Sequence, residues 1–142
     1  MKSHAAKPRV TAAIRTANTD DLPAIAALLR ERKLAKGGDL RQRLKQLVES
    51  EMSDCFVAEE GGRVVGAVLS AFNGFNVFVS HIAVEEDIER KGIGSALIEA
   101  VVTRAVERKA TGLVVDSRLT STTFFFRHGF RLPGAVLMIR DL

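Results

Sequence analysis

The stretch with the most legible chemistry is Glu89-Arg90-Lys91-Gly92-Ile93-Gly94-Ser95, followed by a long amphipathic run to Lys109. Gly92 and Gly94 fall where that helix should begin. The first turn of a helix leaves backbone N–H groups unpaired and carries partial positive charge, so it is a natural seat for phosphate. Glycines let successive N–H groups converge on an anion, and Arg90 and Lys91 add exposed cations. A dinucleotide fingerprint would need Gly or Ala at position 97, where Leu stands, and would place the glycines directly after a strand. Here Glu85 to Lys91 intervene. The Gly-Lys-Ser/Thr ending of a nucleoside-triphosphate loop is also missing. A phosphate nest therefore stands beside the plainer reading, in which the glycines only allow close packing of helix on sheet.

The elements that would hold this stretch follow in a clear order. Val10–Thr16 reads as a strand, and Thr19, Asp20 and Asp21 cap a first helix with Leu22, Ile25, Leu28 and Leu29 on its buried stripe. A second helix starts near Asp39 with Leu40, Leu44, Leu47 and Val48 on one face. Three strands come next: Cys55–Glu59, Val64–Phe72 and Phe75–Val84. Glu60-Gly61-Gly62-Arg63 forms the first turn, and Gly66 marks a bulge or close approach. Asn73-Gly74 reads as a two-residue hairpin turn with both residues at positive φ. The helix from Gly92 to Lys109 buries Ile93, Leu97, Ile98, Val101, Val102 and Ala105. It crosses over to a strand at Leu113–Asp116, which should run parallel to the strand ending at Val84. A short helix at Ser121–Arg127 and a final strand at Ala135–Arg140 complete the chain. The expected architecture is a mixed sheet with helices on both faces.

Composition bounds the function. At 142 residues, 46% hydrophobic and 27% charged, the chain is the size of a single globular domain. Residues 1–8 read as a flexible tail and 9–142 as that domain. No apolar run reaches the ~18–20 residues of a membrane span, and the N-terminus lacks the apolar core of a secretory signal. A single cysteine, Cys55, excludes an internal disulfide framework and suits a reducing cytoplasm. In its strand it reads as a small buried hydrophobe. The net charge of +4 is spread along the chain, and without Trp or Tyr there is little to stack bases on. Both points argue against a nucleic-acid partner. No membrane partner and no metal is expected.

These residues together resemble the GNAT superfamily of acyl-CoA-dependent N-acetyltransferases. Ile82-Ala83-Val84 is similar to the family's apolar-small-Val strand end, and Glu89 to Gly94 to its Gln/Arg-x-x-Gly-x-Gly/Ala loop. Phe124-Phe125-Phe126-Arg127-His128-Gly129-Phe130 resembles its second signature, Phe-Tyr-x-x-x-Gly-Phe, and the opening AAIRTANTDDLPAIAALL its first strand and helix. The resemblance covers essentially the whole chain. It implies an α/β (α+β) fold, with a mixed, mostly antiparallel sheet of six to seven strands flanked by about four helices. It further implies acetyl-CoA as acyl donor, no metal, an amine-bearing acceptor, a cytoplasmic protein and, as in many relatives, a homodimer.

On the same footing the donor's pantetheine arm would lie where the strands at Val84 and Leu113 splay apart, bonded to the Ile82–Ala83–Val84 backbone. The pyrophosphate would sit on the amides of Arg90, Lys91, Gly92, Ile93, Gly94 and Ser95. Glu89, Phe124, Phe125 and Arg127 complete the implied donor site. Three positions depart from the family pattern: Glu89 replaces Gln/Arg, Arg118 aligns with a frequent Asn, and Phe125 replaces the Tyr often assigned to protonating the leaving thiolate. A thiol of pKa about 8.5, taking cysteine as a guide, leaves tolerably without that proton.

The resemblance implies direct attack by a neutral amine, with proton removal by a base. Relatives often carry a Glu on the strand before Ile82. This chain has Phe78, Ser80 and His81 there. His81 has a suitable intrinsic pKa, although strand alternation would point it away from the cleft. Asp116 is the second candidate base, and Ser117 or His128 a candidate proton donor, with His128 otherwise a surface residue at a helix end. Three functions follow: an N-acetyltransferase, a non-catalytic acyl-CoA-binding sensor motivated by the departures, and, third, a basic nucleic-acid-binding domain.

Overall fold

The computed structural model describes residues 12–35, 38–87, 92–116 and 121–142. The strands are β1 (Ala13–Thr16), β2 (Ser53–Glu60), β3 (Arg63–Phe72), β4 (Asn76–Val84) and β5 (Gly112–Val115). The helices are α1 (Leu22–Glu31), α2 (Leu40–Glu49), α3 (Ile93–Glu107) and α4 (Thr122–Arg127), with a 3-10 turn at Thr19–Asp21 before α1. The five strands form one sheet in sequential order. β1 to β4 are antiparallel neighbours, and β5 runs parallel to β4, as a helical crossover requires.

Two apolar layers sandwich the sheet. On one face Ile25, Leu29, Leu40 and Leu44 of α1 and α2 pack on Cys55, Val57, Ala67, Leu69 and Ala83. On the other, Ile93, Leu97, Ile98, Val101 and Ala105 of α3 pack on Val65, Val68, Val77 and Val79. Cys55 is 3% exposed, and burial pushes its thiol up to about 12. It is a core residue.

β3 is irregular where α3 crosses it. Ala58 pairs with Gly66 and Glu59 with Val64, so Val65 is an extra residue. Gly66 turns toward α3 here, and a Cβ built on it would lie 3.1 Å from Ile93 Cγ2 and 3.2 Å from Leu97 Cδ1. The close approach of helix to sheet is thus made at Gly66. At Gly94 the nearest atoms to an added Cβ are at 3.5 Å, an ordinary contact. That weakens the reading of Gly94 as a packing glycine.

The entry to α1 is tied by charge. Asn18 caps the 3-10 turn by accepting from Asp20 N, while Asp21 accepts from Asn18 N. The Arg15 guanidinium then grips both carboxylate oxygens of Asp21 at 2.8 Å and reaches Glu59 at 2.7 Å. Further along β2, Asp54 holds Arg104 of α3 and Arg108 just past its end at 3.1 and 2.9 Å.

Two expectations fail. The two-residue hairpin with positive φ at both positions occurs at Gly61-Gly62, between the paired Glu60 and Arg63. At Asn73-Gly74 only Gly74 has positive φ, and the last pair is Phe72 with Val77. The Asn73 side chain instead accepts from the backbone N–H of Phe75 and Asn76, which closes a longer loop. Among the described residues the sheet has five strands, fewer than the six to seven expected, because Ala135–Arg140 is not a strand. Its pattern fits one, but among the described residues β5 has no neighbour on its outer side. Val136, Leu137, Met138 and Ile139 are 61–88% exposed.

Candidate active site

β4 and β5 pair only from Asn76–Gly112 to Val79–Val115. Beyond Val79, β4 runs on to Val84 while β5 ends. The side of β4 turned toward β5 therefore offers Ser80–Val84 backbone outside that ladder, and such groups need partners. A cleft opens at this divergence, lined by Leu34, Val79, Ser80, His81, Ile82, Val115, Asp116, Ser121 and Phe125.

His81 reaches the cleft because β4 carries an extra residue. Leu69 pairs with His81 and Ser70 with Val79, so Ser80 has no counterpart on β3. Val77 and Val79 face α3 before the bulge, and Ile82 and Val84 after it, while Ala83 joins the α1/α2 layer. The alternation is shifted by one. His81 consequently stands on the Ala83 side and lines the cleft with Leu34, the reverse of what simple alternation gives. Its Nδ1 lies 2.9 Å from Ser80 Oγ, and Ser80 Oγ donates to the Leu69 carbonyl at 3.3 Å. In the tautomer with the proton on Nδ1, that nitrogen donates to Ser80 Oγ and Nε2 carries the lone pair. Burial holds the His81 pKa below its ordinary value, opposed by the Leu34 carbonyl, so the ring is neutral at neutral pH.

Asp116, just past the end of β5, lines the same cleft from the opposite wall. The sequence thus named two groups that the fold brings together. Ser117 lies outside the described residues, as do Glu89, Arg90, Lys91 and Arg118.

The start of α3 sits at the end of β4. Gly92 is the N-cap in the left-handed conformation, φ 79° and ψ 12°. Ala96 N is the first to bond back into the helix, to Gly92 O at 3.0 Å. The N–H groups of Ile93, Gly94 and Ser95 precede it and have no intrahelical acceptor. Ile93 anchors the turn in the core, and Val84 and the Phe124 ring lie against Gly94.

α4 joins the two parts. Phe125, 4% exposed, fills the cleft wall and packs edge-on against Phe124 and Phe130. Arg127 is exposed. His128 is not the surface helix-end residue that its position suggests. Its side chain is 14% exposed, with Nε2 2.9 Å from Ser95 Oγ and Nδ1 3.2 Å from Glu99 Oε1. Ser80, Ser121, Leu34 and Glu99 carry no sequence signal of their own. The bulge and the packing of α4 bring them in.

Among the described residues no three His, Cys, Asp or Glu side chains cluster as a metal site would require, and no helix is long and apolar enough to cross a membrane.

Known proteins can be set beside this geometry. The family model described as "Acetyltransferase (GNAT) domain" matches residues 32–137. The chain is 29% identical over 108 residues to streptothricin acetyltransferase A of Bacillus subtilis (strain 168), covering 65% of this chain and 60% of the relative's length. Among solved structures it superposes on a transcriptional regulator from Bacillus halodurans C-125 with a TM-score of 0.80 at 18% identity, covering 92% of this chain and 99% of that one. A predicted acetyltransferase with acetyl-CoA from Clostridium acetobutylicum gives 0.79 at 14% identity, covering 91% and 96%. The chain belongs to the GNAT acetyltransferase family.

Proposed function

We propose that this protein is an N-acetyltransferase that moves the acetyl group of acetyl-CoA to a primary amine of a small molecule or protein. The observation that carries this reading is the continuity of two features. The N–H groups that open α3 without an intrahelical acceptor lie at the end of the same strand, β4, whose splayed part borders a cleft holding His81 and Asp116. A phosphate-bearing donor can rest its phosphates on the helix start and extend its arm along Ile82–Val84, bringing the thioester toward His81. The Clostridium neighbour's acetyl-CoA supports that donor.

The chemistry balances with residues of this chain. The amine nitrogen attacks the thioester carbonyl carbon, and the Val84 N–H is the nearest backbone donor expected to hold the developing oxyanion. The amine proton passes to His81 Nε2, directly or through water. The C–S bond then breaks and CoA leaves as thiolate, protonated by water or Ser117. Asp116 is the alternative base. Phe125 supplies no proton from its position in the cleft wall, so thiolate departure proceeds with little acid assistance. The glycine-turn departure at Glu89 leaves the backbone donors of Gly92 to Ser95 in place. The rest of the site reading, residues 9–142 as one domain and a homodimeric, cytoplasmic protein without nucleic-acid or membrane partners, stands as part of this proposal.

Because Phe125 stands where a proton donor is common, a sensor that binds acyl-CoA without turnover is the second reading. Incubation with acetyl-CoA and a broad panel of amines, following free thiol, separates the two. Amine-dependent thiol release supports the transferase. Tight CoA binding without release across the panel supports the sensor, and no CoA binding by the folded protein overturns both.

A further inference from the structure

β5 is an open edge built from apolar residues. Gly112-Leu113-Val114-Val115 pairs with β4 on one side, and among the described residues nothing pairs on the other. Edge strands are ordinarily protected by charge, proline or a covering element, because their unpaired N–H and C=O groups template a further strand. β5 carries neither charge nor proline. Its two faces are apolar as well. Leu113 and Val115 pack with the α3 layer, while Val114 points the other way, where it and its register partner Phe78 are 48% and 39% exposed.

The matching half of a strand pair lies in the same chain. As a strand, residues 135–140 would present Ala135, Leu137 and Ile139 on one face and Val136, Met138 and Arg140 on the other. A segment apolar on both faces suits a place beside β5, which offers apolar neighbours on both. Yet Val136 to Ile139 are exposed, and among the described residues no backbone hydrogen bond joins residues 131–142 to the rest of the chain. The chain is held as far as Phe130, whose N–H donates to the Phe125 carbonyl at 3.1 Å. Pro133 then fixes its own φ and disfavours a helical Leu132, and Gly134 takes a left-handed φ of 73°, which glycine adopts freely. The link is therefore relaxed in the direction that leaves the segment off its own β5. A second copy has the same open edge, and a two-fold axis lets each segment fill the edge of the other.

We propose that the β5 edge is a docking site for residues 135–140 of a second copy of this chain, exchanged reciprocally in a dimer. This rests on the homodimer in the reading above and not on the chemistry of the cleft.

Sedimentation equilibrium of the full chain should show a dimer at micromolar concentration. Leu137→Asp and Ile139→Asp change largely exposed side chains, so the circular-dichroism spectrum should be kept while dimerisation weakens roughly tenfold or more, the scale of one buried apolar side chain. Val114→Cys in one copy should form a disulfide with a cysteine placed at one of positions 136–139 in another when the two are mixed, Cys55 being buried. A dimer unaffected by the aspartates, or no disulfide in any mixed pair, would overturn the proposal and move the homodimer to another surface. Disulfides formed only within one chain, in variants carrying both cysteines, would put the segment on its own edge and overturn the exchange. A wild-type monomer would overturn the proposal together with the homodimer, leaving the acetyltransferase reading untouched.

Discussion

Gly66 lies directly beneath Ile93, with room for a hydrogen and not for a methyl group between strand and helix. An added Cβ would stand 3.1 Å from Ile93 Cγ2, 3.2 Å from Leu97 Cδ1 and 3.4 Å from the Ala83 carbonyl oxygen. Ile93 and Leu97 are fully buried and have nowhere to move. Gly66→Ala should cost about 1–3 kcal/mol by overpacking, measured as a lower urea midpoint with unchanged slope. Gly94→Ala should stay within about 0.5 kcal/mol of wild type in the same assay.

His81 should show itself in a pH–rate profile. Its pKa is lowered, so the neutral base is lost only as pH falls below the ordinary value of 6.5. Wild-type turnover should therefore fall on an acidic limb below about 6.5. His81→Gln should reduce kcat by roughly 10²–10⁴-fold and abolish that limb, with CoA affinity unchanged. A full acidic limb in His81→Gln would remove His81 from the role of base.

Gly92 is set by its backbone. At φ 79° an L side chain is strained by roughly 1–2 kcal/mol. Gly92→Ala should therefore either lose that much stability or relax the turn and move the N–H groups it aims. Weaker CoA binding by calorimetry, in a variant that remains folded, is the expected result. Unchanged affinity would remove the helix start from the donor site.

Asp21 makes stability depend on acid. The Arg15 guanidinium, with help from the Asn18 N–H and against the cost of burial, holds its carboxyl below the usual value of 3.8. The folded form binds this proton less readily than the unfolded chain does. The stabilisation is thus complete above pH ~4 and is lost as pH falls through the lowered folded value. Asp21→Asn should cost about 2 kcal/mol at pH 7, less than a fully buried pair because Arg15 is partly exposed. The gap between variant and wild type should narrow in denaturation curves taken toward pH 2.

Much of the fold was legible because its signals are local. The α3 stripe from Ile93 to Ala105 and the parallel crossover to β5 need only periodicity and chain direction. Errors arose where the outcome depends on a partner or on a count. Ala135–Arg140 has a strand's composition, but a strand is defined by its neighbour. Asn73-Gly74 has hairpin chemistry, but Asn73 spends its side chain on the loop N–H groups instead. His81 was misjudged by parity, since nothing in Phe78–Val84 announces that Ser80 is supernumerary. His128 was read as surface because its partner Ser95 is distant in sequence. The glycine-capped start of α3 at Gly92 was legible from local sequence alone.

The bulge at Ser80 has a consequence for anyone who would redesign or align this chain. The address of His81 is stored as an integer, one residue more on β4 than on β3, and not in the identity of any side chain. Deleting Ser80 would leave every candidate group of the site in the sequence while sending the imidazole through the sheet to the opposite layer. A comparison that tolerates a single gap in this strand would score such a chain as intact, although its imidazole would face the other side of the sheet.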